Sequence, residues 1–266
     1  MISELNNTNF KLKFKQSNPI YYFCKIKFKI MKTKKYCVGT LVILLFALIL
    51  SSCNNCTKES QNVYNDTPRE AKLRAAGLVN ISELDTTIMV HLVYATPYNF
   101  MGRTLYHGLK KAFMLPELAE KLVNAQKILK KLRPDLTLIV YDAARPIEVQ
   151  REMWAMVEGT DMEDFVANPT KRPGMHNIAA AVDVTLVDCT GHPLPMGSEY
   201  DYFGDDARTT DEEKLLKDGR ITIREYENRL LLRRVMTEAG MKPIAEEWWH
   251  FDLMDTKKAR EIYKAF

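Results

Sequence analysis

Two histidines, an aspartate and a glutamate carry the chemistry this sequence offers: His176, Asp183, Glu247 and His250. Two imidazoles and one carboxylate form a three-ligand set for a catalytic zinc ion. Structural zinc sites close their shell with four protein ligands, whereas catalytic ones keep a position for water. The segments read Gly174-Met175-His176-Asn177-Ile178-Ala179-Ala180-Ala181-Val182-Asp183 and Glu247-Trp248-Trp249-His250. Neither is the helical H-E-x-x-H zinc motif, and neither is specific alone. Asp183 lies between Val182 and Val184 in a β-like run. A carboxylate there is unfavourable unless it is paired or metal-bound, so a salt bridge and a metal ligand are its two readings. Glu247 precedes His250 by three residues, and residues three apart on an ideal strand face opposite sides. Both side chains reach one centre only if Glu247 sits at a bend or a strand start. His91, His107 and His192 have no such company and read as ordinary hydrogen-bonded histidines.

The two segments together resemble the zinc D,D-peptidases that cut bonds between D-alanines in cell-wall precursors, which carry S-x-H-x-x-G-x-x-x-D and, much later, E-x-x-H. Further stretches narrow the resemblance to D-alanyl-D-alanine dipeptidases: Tyr94-Ala95-Thr96-Pro97-Tyr98-Asn99-Phe100-Met101-Gly102, Asp142-Ala143-Ala144-Arg145-Pro146 and Pro195-Met196-Gly197-Ser198-Glu199-Tyr200-Asp201. The segments keep the family's order, and that order is far more specific than any one of them. Two positions depart: Gly174 stands where the family has its motif serine, and Ala179 where it has a glycine.

The resemblance implies a single catalytic domain with a central, mainly antiparallel sheet flanked by helices. It implies zinc on His176, Asp183 and His250, with Glu247 as general base and then acid. It places Arg145 on the oxyanion, the alternative being a structural bridge to Asp142. It sets Asp201 and Tyr94 at the substrate's amino end, where loop solvation and core packing are the plainer readings. The implied substrate is D-alanyl-D-alanine or a related wall peptide. The alternatives are a D,D-carboxypeptidase that trims longer peptides and a non-catalytic zinc-containing wall-binding protein.

Around these residues the pattern is mixed. Leu118, Leu122, Ala125, Leu129 and Leu132 recur at helical spacing between Pro116 and Pro134. Leu136–Tyr141 reads as a buried strand, Ile147–Val157 as a helix, and Ala180–Val187 as a second strand. Thr209–Lys217 and Arg224–Glu238 read as helices, the latter turning Leu231, Val235 and Met236 inward, and Trp248–Leu253 as a last strand. Strands and helices without strict alternation give an α+β class.

The start of the chain is different. Lys32, Lys34 and Lys35 precede the apolar run 38–50, an export signal by its basic and short apolar regions. That run is shorter than the roughly 20 residues of a membrane span. Leu50-Ser51-Ser52-Cys53 resembles a bacterial lipobox, with Cys53 the acylated residue and the protein held to a bacterial membrane on its periplasmic or outer side; the alternative is a signal anchor left uncut. Met31 reads as the start of an ordinary leader. The organisation expected is a leader over 1–52, a lipidated cysteine and tether over 53–67, and the catalytic domain over 68–266. The leader holds nine Lys and one Glu, which outweighs the whole-chain excess of +4. The remainder is therefore acidic, and no basic patch supports a nucleic-acid partner.

Overall fold

The computed structural model describes residues 65–160, 162–163 and 166–266. The expected leader, Met31, Cys53 and most of the expected tether lie outside these residues. Among the described residues no helix is long and apolar enough to cross a membrane.

The chain opens with α1 (Pro68–Ala75), β1 (Val79–Asn80), α2 (Ile81–Leu84) and β2 (Met89–Val90). There follow β3 (Phe113–Met114), α3 (Pro116–Leu132), β4 (Thr137–Asp142), α4 (Ile147–Val157) and β5 (Ala181–Val187). The last part holds α5 (Glu212–Lys217), α6 (Ile223–Glu238), β6 (Lys242–Pro243), β7 (His250–Asp252) and α7 (Thr256–Ile262). A five-stranded sheet runs β2-β4-β5-β7-β6, and β1 pairs with β3 in a small second sheet. Among the described residues only β2 and β4 pair in parallel; the other strand pairs are antiparallel. The α+β class and the mainly antiparallel sheet are thus observed.

Thr67 caps α1 through a capping box with Glu70. Asp66, just before it, pairs with Arg74 and Lys111 at 2.6 Å each. These two residues, assigned by sequence to the tether, are bound to the folded body. Helix α3 begins at Pro116, carries Lys130 and Lys131 in its last turn, and buries Leu118, Leu122, Ala125 and Leu129. Leu132, expected on that stripe, is the last residue of the helix and is 39% exposed. In α6 the buried apolar residues are Leu232, Val235 and Met236, with Leu231 only partly covered. Helices α3 and α6 pack on each other and on β4 and β5.

The helix expected from Thr209 starts only at Glu212. Thr209 is held outside it, its N–H donating to the Ala245 carbonyl at 2.9 Å and its hydroxyl to Ile244 at 2.9 Å. The last strand is shorter than expected, for Trp248 and Trp249 form a bend between Glu247 and His250. Sequence gave no sign of β2 or β6, two-residue edge strands without periodicity, though Pro243 in β6 fits an edge.

All seven residues of β5 are buried. Apolar side chains occupy both of its faces, and Asp183 and Thr185 are its only polar members. Two cross-strand pairs align the chemistry: Asp142 on β4 stands opposite Asp183 on β5, and Asp183 opposite His250 on β7. A register irregularity between Val140 and Asp142 re-aims the end of β4, a common device beside active sites.

Candidate metal and catalytic site

His176 Nε2 lies 3.2 Å from Asp183 Oδ1 and 3.1 Å from His250 Nδ1, and His250 Nδ1 lies 3.0 Å from Asp183 Oδ1. Two donors bound at about 2.0–2.1 Å to one tetrahedral zinc stand about 3.3 Å apart, so the three atoms are spaced as a shared ion requires.

The outward atoms of the same groups are occupied. His176 Nδ1 donates to the Ala143 carbonyl at 2.8 Å. His250 Nε2 donates to Asp252 Oδ1 at 2.9 Å. Tyr200 donates its hydroxyl to Asp183 Oδ2 at 2.9 Å. These bonds turn two imidazole lone pairs and one carboxylate oxygen onto a single point, the arrangement by which outer partners fix the tautomer and orientation of metal ligands. All three inward groups are buried. A neutral solvent molecule is poor compensation for them, and a divalent cation a good one. Burial works against ionisation of Asp183, but His176 and His250 outweigh it and hold the carboxyl below the usual carboxylate range. Burial also opposes charge on His250, yet Asp183 and Asp252 raise its pKa well above the ordinary imidazole value.

His176 sits in a 3-10 turn, His176–Ile178, which Ala179 closes in the left-handed conformation at φ 55°. That conformation costs an L-residue about 1–2 kcal/mol, and it explains the family's glycine at this place. Asn177 braces the turn: its Oδ1 accepts from Gly174 N–H at 2.8 Å, and its Nδ2 donates to the Arg145 carbonyl at 2.9 Å. A Cβ at Gly174 would stand 3.1 Å from that Asn177 oxygen, so a side chain here would need Asn177 to give slightly, and glycine brings no hydroxyl to the cavity.

Glu247 lies just before the bend ahead of β7, its Oε2 3.7 Å from His250 Nδ1. The bend resolves the facing problem posed by the three-residue spacing. Burial pushes its carboxyl up to about 7 against the pull of His250, which suits a group that takes and returns protons near neutral pH.

Arg145 follows β4 and precedes α4. Its Nε and one terminal nitrogen donate to Asp142 Oδ2 at 2.9 and 2.6 Å, and its other terminal nitrogen donates to Gln150 at 3.0 Å. The structural bridge to Asp142 is therefore real, and it leaves each terminal nitrogen a further N–H. Asp142 is fully buried, and its other oxygen accepts from Tyr106 and from the Ala143 amide. The guanidinium rests 5.0 Å from the Tyr94 ring centroid.

Tyr94 donates its hydroxyl to Asp201 Oδ2 at 2.8 Å. The loop bearing Asp201 is pinned by the fully buried Arg229, which donates to the carbonyls of Met196 and Asp206. Gly197 in that loop has φ +83°, and a Cβ would come within 2.5 Å of Ile221. Burial raises the Asp201 carboxyl well above its ordinary range, and the Tyr94 hydroxyl only partly offsets this.

Tyr94, Arg145, His176, Asp183, Asp201, Glu247 and His250 all line one cavity of about 380 Å³. Cys53 lies outside the described residues, and His91, His107 and His192 are exposed and line no part of this cavity. Sequence reasoning missed Asp252 and Gln150 and assigned no role to the Tyr200 hydroxyl. Asp252 had a usable signal: two residues from His250 on one strand, it shares that residue's face.

A family model described as D-ala-D-ala dipeptidase matches residues 74–266, well over half of the chain. The chain is 27% identical to a D-alanyl-D-alanine dipeptidase of Escherichia coli (strain K12) over 179 residues, covering 66% of this chain and 84% of that protein. It is 28% identical to one of Enterococcus faecium over 182 residues, covering 61% and 84%. A Synechocystis relative of the same name is 27% identical over 188 residues, covering 60% and 76%.

Proposed function

We propose that this chain, which belongs to the D-ala-D-ala dipeptidase family, is a zinc metallopeptidase that hydrolyses D-alanyl-D-alanine to two D-alanines. The observation that carries the proposal is the convergence of His176 Nε2, Asp183 Oδ1 and His250 Nδ1 within 3.0–3.2 Å of one another, with Glu247 beside them.

Those three residues would hold the zinc. When bound, it supplies Lewis acidity, which acidifies a water molecule and polarises the scissile carbonyl. Glu247 takes a proton from the attacking water and returns it to the leaving amine nitrogen. Arg145, its position set by Asp142 and Gln150, offers its remaining N–H groups to the carbonyl oxygen as charge builds there. Asp201 takes the substrate's ammonium, with the Tyr94 hydroxyl holding its carboxylate in place. The cavity, about 380 Å³, has room for a dipeptide. Chromatography of products from D-Ala-D-Ala and from a pentapeptide ending in D-Ala-D-Ala tests this: faster cleavage of the pentapeptide would favour the D,D-carboxypeptidase reading. The presence of both Glu247 and Arg145 in the cavity speaks against a non-catalytic binding protein.

The place of action rests on sequence alone. The basic stretch, the apolar run 38–50 and the lipobox-like Leu50–Cys53 support an exported domain over 68–266, tethered through an acylated Cys53 outside the inner membrane. Several acyl chains give stable anchoring. From there the enzyme would serve wall turnover or D-alanine salvage, since antibiotic resistance by precursor destruction needs the activity inside the cell. Growth on D-Ala-D-Ala as a D-alanine source, with and without the gene, separates these roles.

A further inference from the structure

Two arginines in the cavity have no part in the chemistry described so far. Arg172 and Arg260 both line it, and among the described residues no carboxylate lies within ion-pairing distance of either guanidinium. Arg260 is half-buried on α7 and spends its Nε–H on the Pro173 carbonyl at 3.0 Å. That bond fixes the guanidinium plane and leaves its two terminal nitrogens unengaged. Arg172 immediately precedes Pro173. The nearby Asp252 is already committed to His250 and to Thr256. By contrast, Arg145 has its charge balanced by Asp142. Placing a cation in the last turn of α7 favours that helix, but it does not account for a second guanidinium brought beside the first. Their proximity is felt: burial and the charge of Arg172 depress the Arg260 pKa, and the charge of Asp252 only partly offsets them.

Asp201, Tyr94, Phe100 and Phe203 form one wall, linked by the Tyr94 hydroxyl bond and by edge-to-face rings. Arg172 and Arg260 line the same cavity, with Arg260 bonded to the Pro173 carbonyl that follows Arg172. Two neighbouring guanidiniums, neither held in an ion pair among the described residues, make a fork suited to a planar carboxylate. The geometry points to Arg172 and Arg260 as the subsite that reads the free C-terminal carboxylate of the peptide. This rests on the dipeptidase reading above, which leaves that end of the substrate unassigned.

The test is calorimetric binding to zinc-loaded Glu247→Gln protein, which should hold substrate without turning it over. D-Ala-D-Ala is compared with D-alanyl-D-alaninamide, which lacks the carboxylate. The unaltered arginine pair should prefer the acid. Arg172→Ala, an exposed residue with no hydrogen bond to lose, and Arg260→Gln should each reduce that preference about tenfold to a hundredfold. Arg260→Lys should retain part of it. A preference for acid over amide that survives both charge removals would overturn the inference, as would no preference in the starting protein. Hydrolysis by the unsubstituted protein is measured alongside. Failure to cleave the dipeptide counts against the dipeptidase reading alone, because the acid-to-amide ratio is read from binding.

Discussion

Removing the carboxylate behind His250 should weaken zinc binding without abolishing catalysis. In Asp252→Ala the lost contact is a 2.9 Å bond from His250 Nε2 to a carboxylate, with both residues at most 8% exposed. A hydrogen bond to a charged group contributes about 1.5–3 kcal/mol, or roughly tenfold to 150-fold in an equilibrium constant. This coincides with the 10–100-fold typical of lost outer partners at metal sites. The physical route is the tautomer. Asp252 keeps the imidazole proton on Nε2; without it the proton is free to occupy Nδ1, the atom facing Asp183 Oδ1 at 3.0 Å. The Thr256 hydroxyl also loses its 3.3 Å acceptor, a minor term because that residue reaches solvent. Chelator competition gives the zinc Kd, and hydrolysis of D-Ala-D-Ala is followed as zinc is raised. The expected result is a Kd about 10–100-fold weaker, with a rate near the parent's once zinc saturates. An unchanged Kd, or a rate that saturating zinc does not restore, would refute the tautomer reasoning.

Other substitutions separate the remaining roles. Glu247→Gln should keep its zinc and lose about 10²–10⁴ in kcat; turnover at the parent rate would exclude it as the base. Arg145→Lys should lower kcat by about 10²–10³, since an ammonium cannot hold both Asp142 and the oxyanion. A change confined to KM would instead place Arg145 in ground-state binding. Asp201→Asn should raise KM about tenfold or more yet raise Tm at pH 7. The native Asp201 carboxyl keeps its proton above the ordinary value of 3.8, so stability falls as pH rises from there through the raised native pKa. Asparagine removes that cost, accepts from Tyr94 equally well and tolerates φ 59°. The gain should vanish in acid, and a lower Tm at pH 7 would contradict it. Cys53→Ala should move the protein from the membrane pellet to the soluble fraction; unchanged partitioning would remove the lipid anchor.

Sequence legibility followed the physics of each element. Ile147–Val157 and the core of α3 could be read because their apolar spacing spans several turns. The cluster itself was legible only as a pair of distant segments. Asp142, Asp183 and His250 become neighbours through antiparallel register, which no local pattern encodes. The three-residue spacing of Glu247 and His250 requires a bend between them, and Trp248 and Trp249 supply it. Leu132 was misplaced because periodicity alone does not say whether the last residue of a helix is covered. Asp252 was overlooked because a carboxylate serving as acceptor to a ligand carries no motif of its own. The Tyr200 hydroxyl was hidden in the same way, within a stretch matched as a whole.

The sharpest test is anomalous diffraction at the zinc edge from crystals grown with zinc. One strong peak about 2.0–2.2 Å from His176 Nε2, Asp183 Oδ1 and His250 Nδ1 together is the expected result. A peak elsewhere, or none among these three atoms, would contradict the shared metal centre on which the peptidase chemistry depends.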